Sequence, residues 1–493
     1  MKRLCLLCLA PHILLCAFLL NSPASTPIDD TVERRIERIL NDLRPETHLQ
    51  NQFGPKASLQ ERMAHFHTPG VSIAVVNNNR IEWARGFGVK EWGKSAPVTD
   101  RTLFQAGSIS KPIFALAVVR LAQDGRLDLD RDVNDYLKSW KVPPNGSWQP
   151  QITLRQLLTH SAGLTVHGFP GYLRSAKIPT VPQILNGESP ANTAPVRVNL
   201  LPDSHVRYSG GGTTVGQLLI SDLLGKPFPQ IMRETIFARI GMSDSTYEQP
   251  LPRTLHKHAA TAHPQAYQPV TGKWHVYPEM AAAGLWTTPS DLARAGIELQ
   301  LALKGETKRL LSRAQARHML TAGRHEDAAL GFWLSGKDKA RRFSHGGWDE
   351  GFVALMTMYR DQGMGAVVMI NSNEGNPMLS EIEAAIAREY NWPVERRPVE
   401  VDSALAEACV GEYKGERGFE CAITRDGDKL LFKTKNQNPI PLHLDSATNL
   451  FTRVLNLQLK LTRDTNGTIT SLTCDQNGRT IELQRKKPVV AGK

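Results

Sequence analysis

Ser108-Ile109-Ser110-Lys111 carries the sharpest chemical signal in the sequence. Residues three apart share a helix face, so this spacing brings a hydroxyl to an amine. A serine hydroxyl is a weak nucleophile until a neighbouring base takes its proton. Lysine serves as that base only when its pKa falls, and burial or the positive end of a helix dipole lowers it. Both are at hand: the run Pro112-Ile113-Phe114-Ala115-Leu116-Ala117 is apolar, and Ser108 stands where a loop turns into a helix. Pro112 suits a first turn, where its missing N–H would have had no partner. No other Ser-x-x-Lys occurs in the chain. The plainer alternative is a helix cap with a surface lysine.

Two further groups add to it. Tyr208-Ser209-Gly210-Gly211-Gly212 precedes a helical pattern. Its glycines are expected to let the backbone turn sharply and approach other groups, and a tyrosine held there near a lysine can pass protons. His345-Gly346-Gly347-Trp348 opens a strand pattern, where two residues without side chains would let a substrate lie against the strand edge. Taken singly, each has a bland explanation: a core tyrosine beside a flexible turn, and a turn with a partly exposed histidine. The reading requires Ser108, Lys111 and Tyr208 to meet in one hydrogen-bonded cluster, at the mouth of a cavity edged by the strand beginning at His345.

The elements that must position these residues are legible in outline. Asp29 to Leu43 has helical spacing that Pro45 ends; Gly70 to Val76 and Ile81 to Phe87 read as paired strands across Asn77-Asn78-Asn79. Helices are expected over Thr214 to Leu224, Ser290 to Leu303 and Glu381 to Tyr390, and strands over Ser344 to Met358 and Gly365 to Ile370. A strand pair, a helical middle, then strands and a last helix imply one antiparallel sheet with helices packed on it. At Trp392-Pro393-Val394-Glu395-Arg396-Arg397-Pro398 the composition shifts to a stiff, charged linker. Beyond it the pattern is all strand: Leu455, Leu457, Leu459 and Leu461 alternate with polar residues, and Asp426-Gly427, Asn466-Gly467 and Asn477-Gly478 are hairpin turns.

The order Ser-x-x-Lys, Tyr-x-Gly, His-x-Gly resembles the serine β-lactamase and penicillin-binding-protein superfamily, most of all its class C-like branch with esterases, D-aminopeptidases and carboxypeptidases. Ile152 to Leu164 and Ala283 to Ala293 resemble that branch too, and the likeness runs from about Thr68 to Tyr390. The C-terminal part, with Val410-Gly411-Glu412-Tyr413 near its start, resembles the lipocalin-like β domain that some members carry. The resemblance implies a fold of the α/β class, in its α+β form: a β-lactamase-like antiparallel sheet flanked by helices with an all-helical subdomain, then a small antiparallel β-barrel. It implies Ser108 as nucleophile, Lys111 as its base, Tyr208 as proton shuttle and His345 in the third motif. Gly210, Gly346, Gly347 and Trp348 would contact substrate, with the amides of Ser108 and Trp348 as the oxyanion hole. Where the family usually has Tyr-x-Asn, this chain has Gly210. Where true β-lactamases carry Lys-Thr-Gly or Lys-Ser-Gly, it has His345-Gly346-Gly347, an imidazole neutral or partly charged near pH 7 and no hydroxyl. The implied substrate is therefore a small ester, amide or D-amino-acid peptide. A true β-lactamase or penicillin-binding D-Ala carboxypeptidase, and a silent receptor for β-lactams or peptidoglycan fragments, are the alternatives. Arg341 and Arg342 are candidate anion contacts.

Length and composition bound the rest. The chain has 493 residues, 41% hydrophobic and 22% charged, which excludes a mainly disordered chain and a multi-span membrane protein. Its formal charge of +11 is diffuse, without the basic stripe that nucleic acid requires. Lys2-Arg3, an apolar run from Leu4 to Leu20 and Ser22-Pro23-Ala24 read as a secretory signal; an uncleaved anchor is the alternative. Expected domains are 1–24 (signal), 25–395 (hydrolase) and 401–487 (barrel), in a periplasmic or secreted protein with a small acyl compound as its partner. No cofactor and no metal is expected, and His256, His258 and His263 are set aside as a loop cluster. His160 is assigned a structural loop role and Asp291 a helix N-terminal charge. The six cysteines leave Cys409, Cys421 and Cys474 after the signal, with a Cys421–Cys474 bridge open.

Overall fold

The computed structural model describes residues 30–44, 55–323, 327–393 and 403–486, apart from 428, 436, 438, 445, 447, 453–456 and 477–478. The signal sequence, most of the linker, Leu455 and the Asn477-Gly478 turn lie outside the described residues.

Six strands form one antiparallel sheet: β1 (Gly70–Asn77), β2 (Arg80–Gly88), β3 (Trp333–Ser335), β4 (Arg342–Asp349), β5 (Phe352–Tyr359) and β6 (Gly365–Ile370), in the order β2-β1-β6-β5-β4-β3. Successive strand residues point to opposite faces, and the sequence uses this directly. Val71, Ile73 and Val75 of β1 pack with Ile36 and Ile39 of helix α1 (Asp30–Leu40), while Ala74 and Val76 enter the larger core on the other face. That core holds the apolar helix α2 (Ser110–Gln123), along with α3 (Gly210–Leu224), the short α4 (Met280–Ala283) and α5 (Pro289–Lys304). Helix α6 (Asn376–Glu389) joins α1 on the first face. Both faces are covered by helices, so β1 and β6 are buried along nearly their whole length.

Three differences from the sequence reading have local causes. The stretch from Ser344 to Met358 is two strands, because Gly351 turns the chain with φ +79° between β4 and β5. Gly210 to Gly212 are not a sharp turn; they are the first turn of α3, with Ser209 as N-cap accepting from the Gly212 amide at 2.9 Å. Beyond the linker the chain is not all strand, since helix α7 (Ser403–Cys409) comes first and adds Ala406 and Cys409 to the barrel core.

The eight strands from Gly411 to Arg485 close into an antiparallel barrel. Leu457, Leu459 and Leu461 point inward and alternate with Gln458 and Lys460, as period two requires. Cys409, Cys421 and Cys474 are buried free thiols, so Cys421 and Cys474 are unbridged. Among the described residues, no helix is long and apolar enough to cross a membrane.

Candidate active site

Ser108 sits in a single 3-10 turn, Gly107–Ile109, one step before α2 begins. Gly107 has φ +51°, and a Cβ there would run into the Trp348 backbone nitrogen; a Cβ on Gly347 would run into the Ala106 carbonyl. The missing side chains let the turn lie directly on strand β4. The turn is pinned from behind by Ser110, whose Oγ donates to Gly107 O (2.6 Å) and accepts from Leu285 N (3.0 Å). Tyr247 Oη donates to Ser110 O (2.7 Å), and Ala106 N to Leu285 O (2.9 Å). The Ala283 to Ala293 stretch is thus a brace for the Ser108 turn.

Lys111 is 4% exposed, and its Nζ lies 2.9 Å from Ser108 Oγ. A second bond runs from Nζ to Ala282 O of α4 (2.8 Å). Helix α4 is held in turn by Gln217 of α3, whose Oε1 accepts from Ala281 N (2.9 Å) and whose Nε2 donates to Pro278 O (3.0 Å). The amine is therefore placed by α2 and oriented by α3 through α4.

Tyr208 precedes the N-cap of α3, and Lys111 Nζ lies 4.8 Å from its ring centroid. The contact between them is through the ring face, a cation–π geometry, while Ser108 and Lys111 share the hydrogen bond. Rings surround the phenol: His160 at 4.4 Å between centroids, His167 at 4.8 Å, His345 at 6.2 Å and Trp333 at 6.3 Å. His160 has φ +56° and accepts from Ser209 N at its Nδ1 (3.2 Å), which places its proton on Nε2. Burial, with Lys111 next in effect, holds His160 well below its ordinary value.

His345 is buried, and its Nδ1 donates to Gly346 O at 2.6 Å. Burial first and the Lys111 charge second push its pKa down to about 3, so the imidazole is neutral at pH 7 rather than partly charged. Strand β3 pairs with β4 only from Arg342 to Ser344, which leaves the edge of β4 from His345 onward without a strand partner on that side. A cavity of about 680 Å³ opens along this edge, lined by Ser108, Tyr208, His345, Gly346, Gly347 and Trp348 among others, with Trp348 52% exposed.

Gly210, expected to contact substrate, stays away from the cavity lining and from Lys111. It is buried in the first turn of α3, with its N–H on His167 O (3.0 Å) and only a tight fit for a Cβ, 3.0 Å from the Phe169 ring. Arg341 pairs with Asp361 (3.4 Å) and Arg342 donates to Ser335 Oγ (2.9 Å), and neither lines the cavity. Asp291 is buried in the first turn of α5, bound to Arg294 and to Ser245 Oγ. Sequence reasoning passed over His167 and Trp333, and set His160 aside. The one available signal was the position of His160 within the Ile152 to Leu164 stretch.

The Beta-lactamase family model matches residues 56–390. Protein flp of Staphylococcus aureus (strain N315) is 24% identical over 316 residues; the match covers 62% of this chain and 60% of flp. The octameric penicillin-binding protein homologue from Pyrococcus abyssi superposes with a TM-score of 0.57 at 18% identity, covering 86% of this chain and 98% of that one. The D-amino acid amidase from Ochrobactrum anthropi SV3 superposes with a TM-score of 0.55 at 20% identity, covering 73% and 99%.

Proposed function

Because the chain belongs to the Beta-lactamase family, we propose that it is a serine hydrolase that forms an acyl-enzyme on Ser108 and acts on small esters, amides or D-amino-acid peptides. The observation that carries this reading is the 2.9 Å separation of Lys111 Nζ and Ser108 Oγ at the wall of an open cavity. Lys111 Nζ, held by its hydrogen bond to Ala282 O, faces the Ser108 hydroxyl and is the group placed to take its proton. Oγ attacks the substrate carbonyl carbon, and its proton passes to Nζ. The carbonyl oxygen becomes an oxyanion facing the Ser108 and Trp348 amides, the kind of pre-aimed donor worth about 3–4 kcal/mol. Collapse breaks the bond to the alcohol or amine, which leaves with a proton relayed past Tyr208. Water then releases the acid and regenerates Ser108.

The substrate range rests on charge. His345 stands where a carboxylate-binding cation would be, and it is neutral. An uncharged ester or amide therefore suits the β4 edge better than a β-lactam carboxylate does. The amide part of the range draws on the name of the Ochrobactrum neighbour. Residues 1–24 fit export to the periplasm or medium.

Steady-state hydrolysis of a simple aryl ester tests the assignment. Lys111→Ala is expected to lower kcat about 10²- to 10⁴-fold with KM little changed, and Ser108→Ala to abolish turnover. Wild-type turnover by Ser108→Ala overturns it.

A further inference from the structure

Two buried carboxyls that the reaction above does not use stand on elements packed around Lys111. Asp349 ends β4 and is 3% exposed; by strand alternation its side chain shares the face of His345 and Gly347, the face laid on the Ser108 turn. Glu279 is fully buried immediately before α4, the helix whose Ala282 carbonyl holds Lys111. Helix α4 packs on α2, on the Ser108 turn and on β4, and Asp349 interacts electrostatically with both Lys111 and Glu279. None of the four buried carboxyl oxygens makes a well-formed hydrogen bond, although the Gly107 N–H reaches towards Asp349 and favours its ionised form. An ionised carboxylate in that state costs far more than an uncharged acid.

We propose that Glu279 and Asp349 form a pair of uncharged carboxylic acids beneath the Ser108–Lys111 site, and that their neutrality is what permits an oxyanion to form beside Trp348. The inference rests on the acyl-enzyme reading of Ser108. Asp349 follows Trp348 directly, so a negative charge on the pair would oppose the charge that develops on the substrate oxygen and cancel the help of the amides. Burial raises Glu279 to about 8 and Asp349 well above the usual carboxylate range, with Lys111 and then the Gly107 amide pulling Asp349 the other way and Glu279 reinforcing the rise. The other titratable groups facing the pair are Tyr172, Tyr277 and Glu350, the last acting through Tyr277. Both tyrosines are raised by burial and stay neutral in this range. Loss of the Glu279 proton as pH rises through about 8 then puts a negative charge in the pair. The two acids are positioning residues: they set the field in which Ser108 and Lys111 work.

The test is the pH profile of kcat/KM on a neutral ester for wild type, Glu279→Gln and Asp349→Asn. The wild-type rate is expected to fall through about pH 8, and Glu279→Gln to move that fall upward by at least one pH unit. An alkaline fall that stays in place in both variants overturns the proposal, because its source would then lie outside the pair. Infrared spectroscopy of the wild type serves if the variants do not fold. A protonated-carboxyl stretch at neutral pH that fades with the midpoint of the rate supports the pair, and absence of that band at neutral pH overturns it. The infrared reading needs no turnover. A chain that hydrolyses no ester thus counts against Ser108, and a missing band counts against Glu279 and Asp349.

Discussion

At His345 burial decides what the side chain can do. The folded value of His345, about 3, lies below the ordinary 6.5. Between those values the unfolded chain binds the extra proton, so stability is fully present above about 6.5 and is lost as pH falls towards about 3. The slope is about 1.4 kcal/mol per pH unit. His345→Asn is expected to show a shallower loss of Tm over that window than wild type, and equal slopes would contradict the neutral, buried imidazole. Tyr208 makes a different point. Tyr208→Phe keeps the ring over Lys111 and between the imidazoles but removes the hydroxyl. If the hydroxyl relays the leaving-group proton, kcat falls about 10²-fold or more with Tm nearly unchanged; an unaltered kcat would reduce Tyr208 to a packing role.

The contact between the Ser108 turn and β4 is made by elements with side chains removed. Gly347→Ala forces the turn off the strand, because its Cβ has no space beside Ala106 O. The expected cost is about 1–3 kcal/mol of stability, read as Tm, with ester turnover lowered at least tenfold. At the start of α3, Ser209→Ala removes the N-cap and is expected to cost about 1 kcal/mol. Sequence pattern exposed what repeats locally. The continuous apolar runs of β1 and α2 mark elements buried on every side, and the period-two leucines of the barrel state which face is inside. What it hid is set by other parts of the chain. Three successive glycines are poor helix formers, and they start α3 only because Ser209 caps them and Val196, Leu164 and Phe169 close around them. Glu279, His167 and Trp333 sit in no chemical motif; the paths of α4, of the loop after His160 and of β3 bring them to Lys111 and Tyr208. The Ser108–Lys111 pair was legible because its spacing is local.

At the largest scale, three cores among the described residues share no buried residue: one on each face of the sheet and one inside the barrel. We propose that the hydrolase and barrel are separate domains, near 25–395 and 401–487. Leu459→Ala, at a fully buried barrel position, is then expected to destabilise the barrel by about 2–5 kcal/mol. Calorimetry should show one transition lowered, with ester kcat unaltered; a loss of kcat in step with the barrel would contradict separate cores. The central claim is that Ser108, activated by Lys111, takes the acyl group. Mass spectrometry with peptide mapping, after exposure to a fluorophosphonate and to a penicillin, tests it most directly. The account predicts a stable fluorophosphonate adduct on the peptide carrying Ser108, lost in Ser108→Ala and slowed in Lys111→Ala, with little penicilloyl adduct. Long-lived penicilloyl adducts would redirect the substrate range to cell-wall peptides. An unlabelled Ser108 with every electrophile, in protein that is folded, would contradict the account.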